Sequence, residues 1–260
     1  MKNKEIRWLP VNTLRRKQLS GNMLLCNFLS VSGIVDIPAV RKQDAFFCTV
    51  GQNDIHHQCI IYDVKNYRML GKDAVLGAVI NSGYLAELLA FLDIANDGCE
   101  RKYAVMEGVS PLQRGAFSNQ LCANWQQLQS WFVMKYIFDE KNNDFSRFCC
   151  SIRQQEAYQL IRYLINNCDN SEKIVSLSKE YGLSYSYFRR KTSNYLGDTA
   201  KVRMLSWRLA KTALDIIGTK DNITDIAMNN GFASSSHVCQ ALILSLGIKP
   251  SSLRKGHDNI

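Results

Sequence analysis

Hydrophobic positions recur with two different periods along this 260-residue chain. In the first third the apolar runs are short. Residues 45–50, 58–63 and 75–80 are rich in Phe, Val and Ile and are separated by Gly, Asn and Asp, which predicts strands. The period then lengthens. Leu85, Leu88, Leu89 and Leu92 fall at three- and four-residue steps, which predicts a helix over 84–95, closed by Asn96-Asp97-Gly98. A second helix over 122–139 carries Trp125, Leu128, Phe132, Tyr136 and Ile137 as an aromatic-rich stripe. Such a stripe packs a core in the first instance. Aromatics are also enriched in interface cores, so Trp125 and Phe132 are candidates for a partner or dimer surface. The run 139–144 is the most polar stretch between apolar helices and sets the expected boundary between domains 1–144 and 145–260.

Beyond that boundary the pattern is helical throughout. Ala157, Leu160, Ile161, Leu164, Ile165 and Cys168 form one stripe, and Asp169-Asn170-Ser171 breaks it. A short helix over 174–181 closes at Gly182. Ser184 stands where an N-cap is wanted, and 185–195 follows as a helix closed by Gly197. A long amphipathic helix over 200–217 carries Val202, Leu205, Leu209, Ala213 and Ile216 at helical spacing. The motif then returns. Asn222 caps 223–229, Gly231 turns the chain, Ser234 caps 235–246, and Gly247 ends it. The expected fold class is therefore α+β overall: a small mixed α/β domain of a few strands followed by helices, then an all-α domain. The all-α domain holds two helix-turn-helix units (about 174–195 and 223–246) joined by a long linker helix.

Composition changes this picture little. At 46% hydrophobic and 21% charged residues the chain reads as an ordinary globular protein, which excludes disorder and collagen-like order. Charge changes it more. The formal net charge is +9, and residues 171–211 alone hold nine basic and three acidic residues, whereas 212–260 balance at four and four. A polyanionic partner for the first helix-turn-helix unit is the natural reading. The nine cysteines include no Cys-x-x-Cys pair, so free thiols in a reducing compartment are expected and a zinc site is not. His56-His57 read as loop residues. The apolar stretch 74–95 is broken by Asn81, Ser82, Glu87 and Asp93, well short of the roughly twenty apolar residues of a membrane span. The run 23–35 after Arg15-Arg16-Lys17 is interrupted by Asn27, Ser30 and Ser32 and is not read as a signal peptide. A cytoplasmic protein with no membrane partner is expected.

The chemistry of the first unit fits duplex DNA. A recognition helix reads base edges with the exposed side chains of its N-terminal turns. Here those are Tyr185, Ser186, Arg189 and Arg190, with Phe188 turned inward. Lys173, Lys179, Lys191, Asn194, Lys201, Arg203, Arg208 and Lys211 are candidates for phosphate contact. The second unit has no Lys or Arg between Lys220 and Lys249. Its exposed positions are Ser235, Ser236, Cys239 and Gln240, with Ile243 and Leu244 where a phosphate-binding helix prefers Lys or Arg. Its expected role is shape contact or packing, or an apolar strip offered to a partner such as polymerase.

These motifs carry a family resemblance over about 157–255. "ITDIAMNNGFASSSH" (223–237) followed by "GIKPSSLRK" (247–255) resembles the signature of the AraC/XylS family of bacterial transcription regulators. "YGLSYSYFRRKTSNYLG" (181–197) and "SWRLAKTALDI" (206–216), with "LLAFLD" (88–93), are similar to the activators attached to type III secretion systems, of the InvF and MxiE kind. The resemblance implies a seven-helix DNA-binding domain whose linker helix sets two recognition helices into successive major-groove segments, about 34 Å apart. It implies base reading by Ser186, Arg189 and Arg190 in one unit and by Ser235, Ser236, Cys239 and Gln240 in the other. It also implies activation of secretion-effector genes with a secretion chaperone as co-activator, alongside RNA polymerase. Val238 and Leu242 stand where the family has aromatic core residues, and Lys191 and Thr192 where apolar ones are common. A different packing of the second unit is expected from the former.

Three other readings compete. A small-ligand sensor of the same family needs a longer, clearer β-barrel than these few strand signals. An enzyme is not expected: a DNA-repair methyl acceptor needs a cysteine held with zinc-ligand spacing, and phosphate-loop, Gly-x-Ser-x-Gly and His-Glu-x-x-His motifs are missing. No catalytic residue, cofactor or metal is therefore assigned. An interaction protein that has lost DNA binding is opposed by Arg189 and Arg190. A homodimer stays open.

Overall fold

The computed structural model describes Arg7 and residues 9–10, 22–28, 34–37, 46–48, 57–62, 68–70, 75–96, 108–112, 124–138, 143–169 and 173–257. They divide into two compact units, 1–159 and 160–260.

Among its described residues the first unit has eight strands, seven before its first helix and one after: β1 (Leu9–Pro10), β2 (Asn22–Phe28), β3 (Ile34–Ile37), β4 (Phe46–Cys48), β5 (His57–Tyr62), β6 (Arg68–Leu70), β7 (Val75–Asn81) and β8 (Gly108–Leu112). A five-stranded sheet runs β1-β7-β2-β5-β8 and a three-stranded sheet β4-β3-β6, with every pairing antiparallel. The interrupted run after Arg15-Arg16-Lys17 holds a central strand, β2, in which Leu24 lies opposite both Val79 and Ile61. His57 opens β5 opposite Phe28 and so belongs to a strand, contrary to the loop expectation; His56 lies outside the described residues. Asp97 and Gly98 also lie outside them.

Helix α1 (Ser82–Ala95) follows β7 directly. Asn81 caps it, its side chain accepting from the Gly83 N–H at 2.8 Å. Helices α2 (Trp125–Phe138) and α3 (Asn143–Arg153) complete the helical part of the unit, and both pack on α1. Phe132 is fully buried. Its ring centroid lies 5.3 Å from that of Phe145 and 6.1 Å from that of Phe148, edge to face. This corrects the partner-surface assignment of Phe132. Trp125 is half-buried against Tyr84, with ring centroids 5.1 Å apart. The apolar side chains that α2 leaves exposed are Met134, Ile137 and Phe138.

One carboxylate gathers this unit's helices. Asp93, on α1, is 3% exposed. It accepts from Arg153 Nε at 2.8 Å and Nη2 at 2.6 Å, from Tyr158 Oη at 2.6 Å and from Tyr136 Oη at 2.9 Å. The bidentate arginine contact holds α3 to α1. Residues 143 and 144 are thus the start of a helix that belongs with the N-terminal unit, and the division falls at 159 rather than in the polar run at 139–144.

Helix α4 (Glu156–Asn166) crosses that division, and its expected stripe from Ala157 to Cys168 is buried at every position. Then come α5 (Ile174–Glu180), α6 (Tyr185–Leu196), α7 (Ala200–Gly218), α8 (Ile223–Asn229), α9 (Ser235–Leu246) and α10 (Pro250–His257). Gly182, Gly197, Gly231 and Gly247 all have φ between 68° and 81°, where a Cβ is strained. Each ends or follows a helix at the position the sequence assigned.

The long helix α7 departs from the expected stripe. Val202 and Leu205 are exposed. Its first half buries Ala200, Met204 and Trp207, and its second half buries Leu209, Ala213 and Ile216. At about 100° per residue these two sets lie on opposite faces of the helix. The reason is that α7 serves two cores: it touches α6 on one side and α8, α9 and α10 on the other. The second of these cores joins Leu209, Ala213 and Ile216 to Ile226, Ala227, Phe232, Val238 and Leu242. Val238 and Leu242 are fully buried, so aliphatic side chains take these two positions of the core beside Phe232.

Candidate nucleic-acid interface

The first helix pair, α5 and α6, is fixed from beneath by aromatics. Tyr163 donates to the Leu177 carbonyl at 3.2 Å and to Glu180 Oε2 at 2.7 Å. Its ring lies 4.9 Å from that of Tyr181, which lies 6.0 Å from that of Phe188. Phe188 is fully buried, as the sequence predicted, and that sets the rotation of α6. Thr192, one turn on, is also buried; its hydroxyl donates to the Phe188 and Arg189 carbonyls at 3.0 Å, so it enters the core with its hydrogen bond satisfied.

With that face inward, Tyr185, Ser186, Arg189, Arg190 and Asn194 are exposed. Tyrosines brace the cations. The Arg189 guanidinium sits 5.6 Å from the Tyr185 ring centroid, and Arg190 5.2 Å from that of Tyr187. Lys191 Nζ lies 5.2 Å from the Tyr187 ring and donates to Tyr195 Oη at 3.5 Å. Tyr187 and Tyr195 were not singled out from the sequence; the spacing Tyr187, Arg190, Lys191, Tyr195 was the signal. Ser184 occupies the N-cap position, but its side chain makes no capping hydrogen bond.

The remaining phosphate candidates separate into two groups. Lys173 and Lys201 are exposed, and Arg203 is half-buried with its guanidinium 5.8 Å from the Trp207 ring. Arg208 differs. Its Nε donates to the Cys168 carbonyl at 2.7 Å and its Nη1 to the Gly231 carbonyl at 3.0 Å, with the guanidinium 5.6 Å from the Phe232 ring. This arginine is a strut inside the helical unit, which removes it from the phosphate set. Lys211 pairs with Asp169 beside it.

In the second pair, Asn222 and Ser234 both cap as expected, accepting from the Thr224 and His237 N–H groups at 3.1 and 3.2 Å. Ser236 and Gln240 are exposed, and Ser235 and Cys239 half-buried. Ile243 is 44% and Leu244 86% exposed.

Among the described residues Cys149, Cys150, Cys168 and Cys239 are free thiols, and no group of three or more His, Cys, Asp or Glu is placed to hold a metal ion. No described helix is long and apolar enough to cross a membrane.

Comparison with known proteins meets the same region. A family described as a helix-turn-helix domain matches residues 177–256. The chain is similar to the invasion protein InvF of Salmonella typhi, 31% identical over 172 residues that span 65% of this chain and 76% of that protein. It is similar to the transcriptional regulator MxiE of Shigella flexneri, 33% identical over 132 residues, 50% of this chain and 62% of the other. Among solved structures, ToxT from Vibrio cholerae O395 aligns over 92% of this chain and 91% of its own at 10% identity, with a TM-score of 0.38, too low to equate the folds.

Proposed function

Because the chain belongs to the AraC-type transcriptional regulators, the family of InvF and MxiE, which are not enzymes, we propose that it is a sequence-specific DNA-binding activator of type III secretion and effector genes. The observation that carries this reading is the outward face of α6. Arg189 and Arg190 stand exposed on a helix whose rotation Phe188 fixes, in the first of two helix–glycine turn–helix pairs. Arginine pairs with guanine O6 and N7 through two hydrogen bonds, and the rigid bracing of both guanidinium groups by tyrosine lowers the entropy lost on docking. Tyr185 and Ser186 complete the base-facing set, with Ser235, Ser236, Cys239 and Gln240 in the second pair. Lys173, Lys191, Asn194, Lys201 and Arg203 form the phosphate set. RNA polymerase and a secretion chaperone acting on the N-terminal unit are the proposed partners, in the cytoplasm.

Capture of fragmented genomic DNA by the full-length chain, with and without a candidate secretion chaperone, tests this. Enrichment of promoters that share a motif of two major-groove segments is the expected result, and dependence on the chaperone assigns the N-terminal unit as its receptor. Absence of enrichment from folded protein in both conditions rejects it. Lys201→Ala lowers affinity equally for all sequences and reduces the slope of log affinity against log salt by about one; an unchanged slope removes Lys201 from the phosphate set.

A further inference from the structure

Helices α6 and α9 match position by position at a separation of fifty residues. N-cap Ser184 matches Ser234, buried Phe188 matches Val238, buried Thr192 matches Leu242, and the closing Gly197 matches Gly247. The outward positions follow from that register. Ser186 corresponds to Ser236, Arg189 to Cys239, Arg190 to Gln240, and Ser193 to Ile243. With Val238 and Leu242 fully buried, Gln240 lies near the middle of the opposite face, and Ile243, 44% exposed, stands one turn beyond it on the side of Ser236 and Cys239.

That face carries no cation, and the pair's one acidic residue, Asp225, lies on α8. Phosphate neutralisation therefore cannot hold it on DNA. An exposed aliphatic side chain flanked by a glutamine has a match in the major groove: thymine offers a C5-methyl group, and adenine offers the N6/N7 pair that glutamine binds through two hydrogen bonds. Resting on the DNA-binding reading above, we propose that Ile243 packs on thymine methyl groups and Gln240 on the neighbouring adenine, so that α9 reads an A·T-rich half-site largely by apolar contact. The short side chains of Ser235 and Ser236 leave room for the helix to approach the base edges. Leu244, one position round the helix, corresponds to the phosphate candidate Asn194 and is 86% exposed.

The test begins with selection of duplexes from a random library by the full-length chain. The selected operator is then resynthesised with deoxyuridine replacing each thymine in turn, which removes one methyl group and leaves base pairing intact. Thymines of one half-site alone are expected to lose about fourfold in affinity each, the worth of one buried methyl. Ile243→Ala is expected to bind thymine and deoxyuridine operators equally while melting at an unchanged temperature. Equal binding of the two operators by the unaltered chain overturns the proposal without any variant. So does an Ile243→Ala protein that keeps the thymine preference. If that variant keeps full DNA binding and loses only promoter activation, the strip is a protein-docking surface and the proposal fails. Selection of no DNA at all rejects the DNA-binding reading itself, and the half-site with it.

Discussion

Helices α6 and α9 are punctuated alike and filled differently. Both follow a serine N-cap and end at a glycine, with φ of 68° and 70°. Beneath α6 lie Tyr163, Tyr181 and Phe188; beneath α9 lie Ile226, Val238 and Leu242, with Phe232 at the turn. Outward, α6 presents braced arginines where α9 presents Cys239 and Gln240. Turn stereochemistry constrains a few positions in both pairs, whereas core composition need only conserve volume and satisfied polar groups. The outward positions are constrained by neither, so they are free to specialise. The glycines also carry unequal burdens. A Cβ on Gly182 meets nothing within 4 Å, whereas one on Gly231 comes within 1.9 Å of the Asp169 carbonyl oxygen.

The sharpest way to break the comparison is therefore at those two turns. Gly231→Ala is expected to cost about 3–5 kcal/mol, since the Asp169 backbone must move as well as φ being strained, against about 1–2 for Gly182→Ala. Urea unfolding of both variants decides it, and equal losses would show that the Asp169 segment yields. Next comes Arg208, which grips that segment and the second turn together. Arg208→Ala is expected to lose about 2–3 kcal/mol of stability, as two charge-assisted hydrogen bonds vanish, with no change in the salt dependence of DNA binding. Arg189→Ala is expected to cost about 1–3 kcal/mol of discrimination at a single base pair, measured by titrating single-base operator variants. Equal weakening on every variant would reassign Arg189 to phosphate. The smallest effects separate the caps. Ser234→Ala is expected to cost about 1 kcal/mol by thermal unfolding and Ser184→Ala only a few tenths, because only Ser234 makes its capping bond.

Most of the second unit was legible because its signals are local: a cap, a run of helical period and a glycine fall within a dozen residues. What local pattern could not give is which of two neighbours a helix faces. Val202 and Leu205 read as part of one stripe, but α7 turns opposite faces to two cores, and no single period describes it. Phe132 had the same difficulty, since an aromatic stripe becomes core only when Phe145 and Phe148 arrive from another helix. Arg208 read as a DNA cation because its acceptors are carbonyls at Cys168 and Gly231, far from it in sequence. In the first unit, β2 was hidden because Asn22 and Asn27 interrupt its apolar residues, and its neighbours β5 and β7 lie about thirty and fifty residues further on.

Asp93 first drew notice only as a polar interruption in an apolar run, yet its position has a consequence for how this protein responds to acidity. Burial raises its pKa, but the hydrogen bonds from Arg153, Tyr158 and Tyr136 and the charge of Arg153 outweigh that, leaving it below the ordinary value of 3.8. Tyr136 is pushed up to about 12, by burial first and then by the charge of Asp93. The carboxylate's contribution to stability is present above pH 3.8 and fades only as pH falls through its lowered pKa. The phenol's contribution is present below pH 10 and fades only as pH rises toward 12. Between those limits the cluster keeps one fixed charge state. This joint among the N-terminal helices therefore stays charged in the same way through acid and alkaline excursions that stop short of those limits.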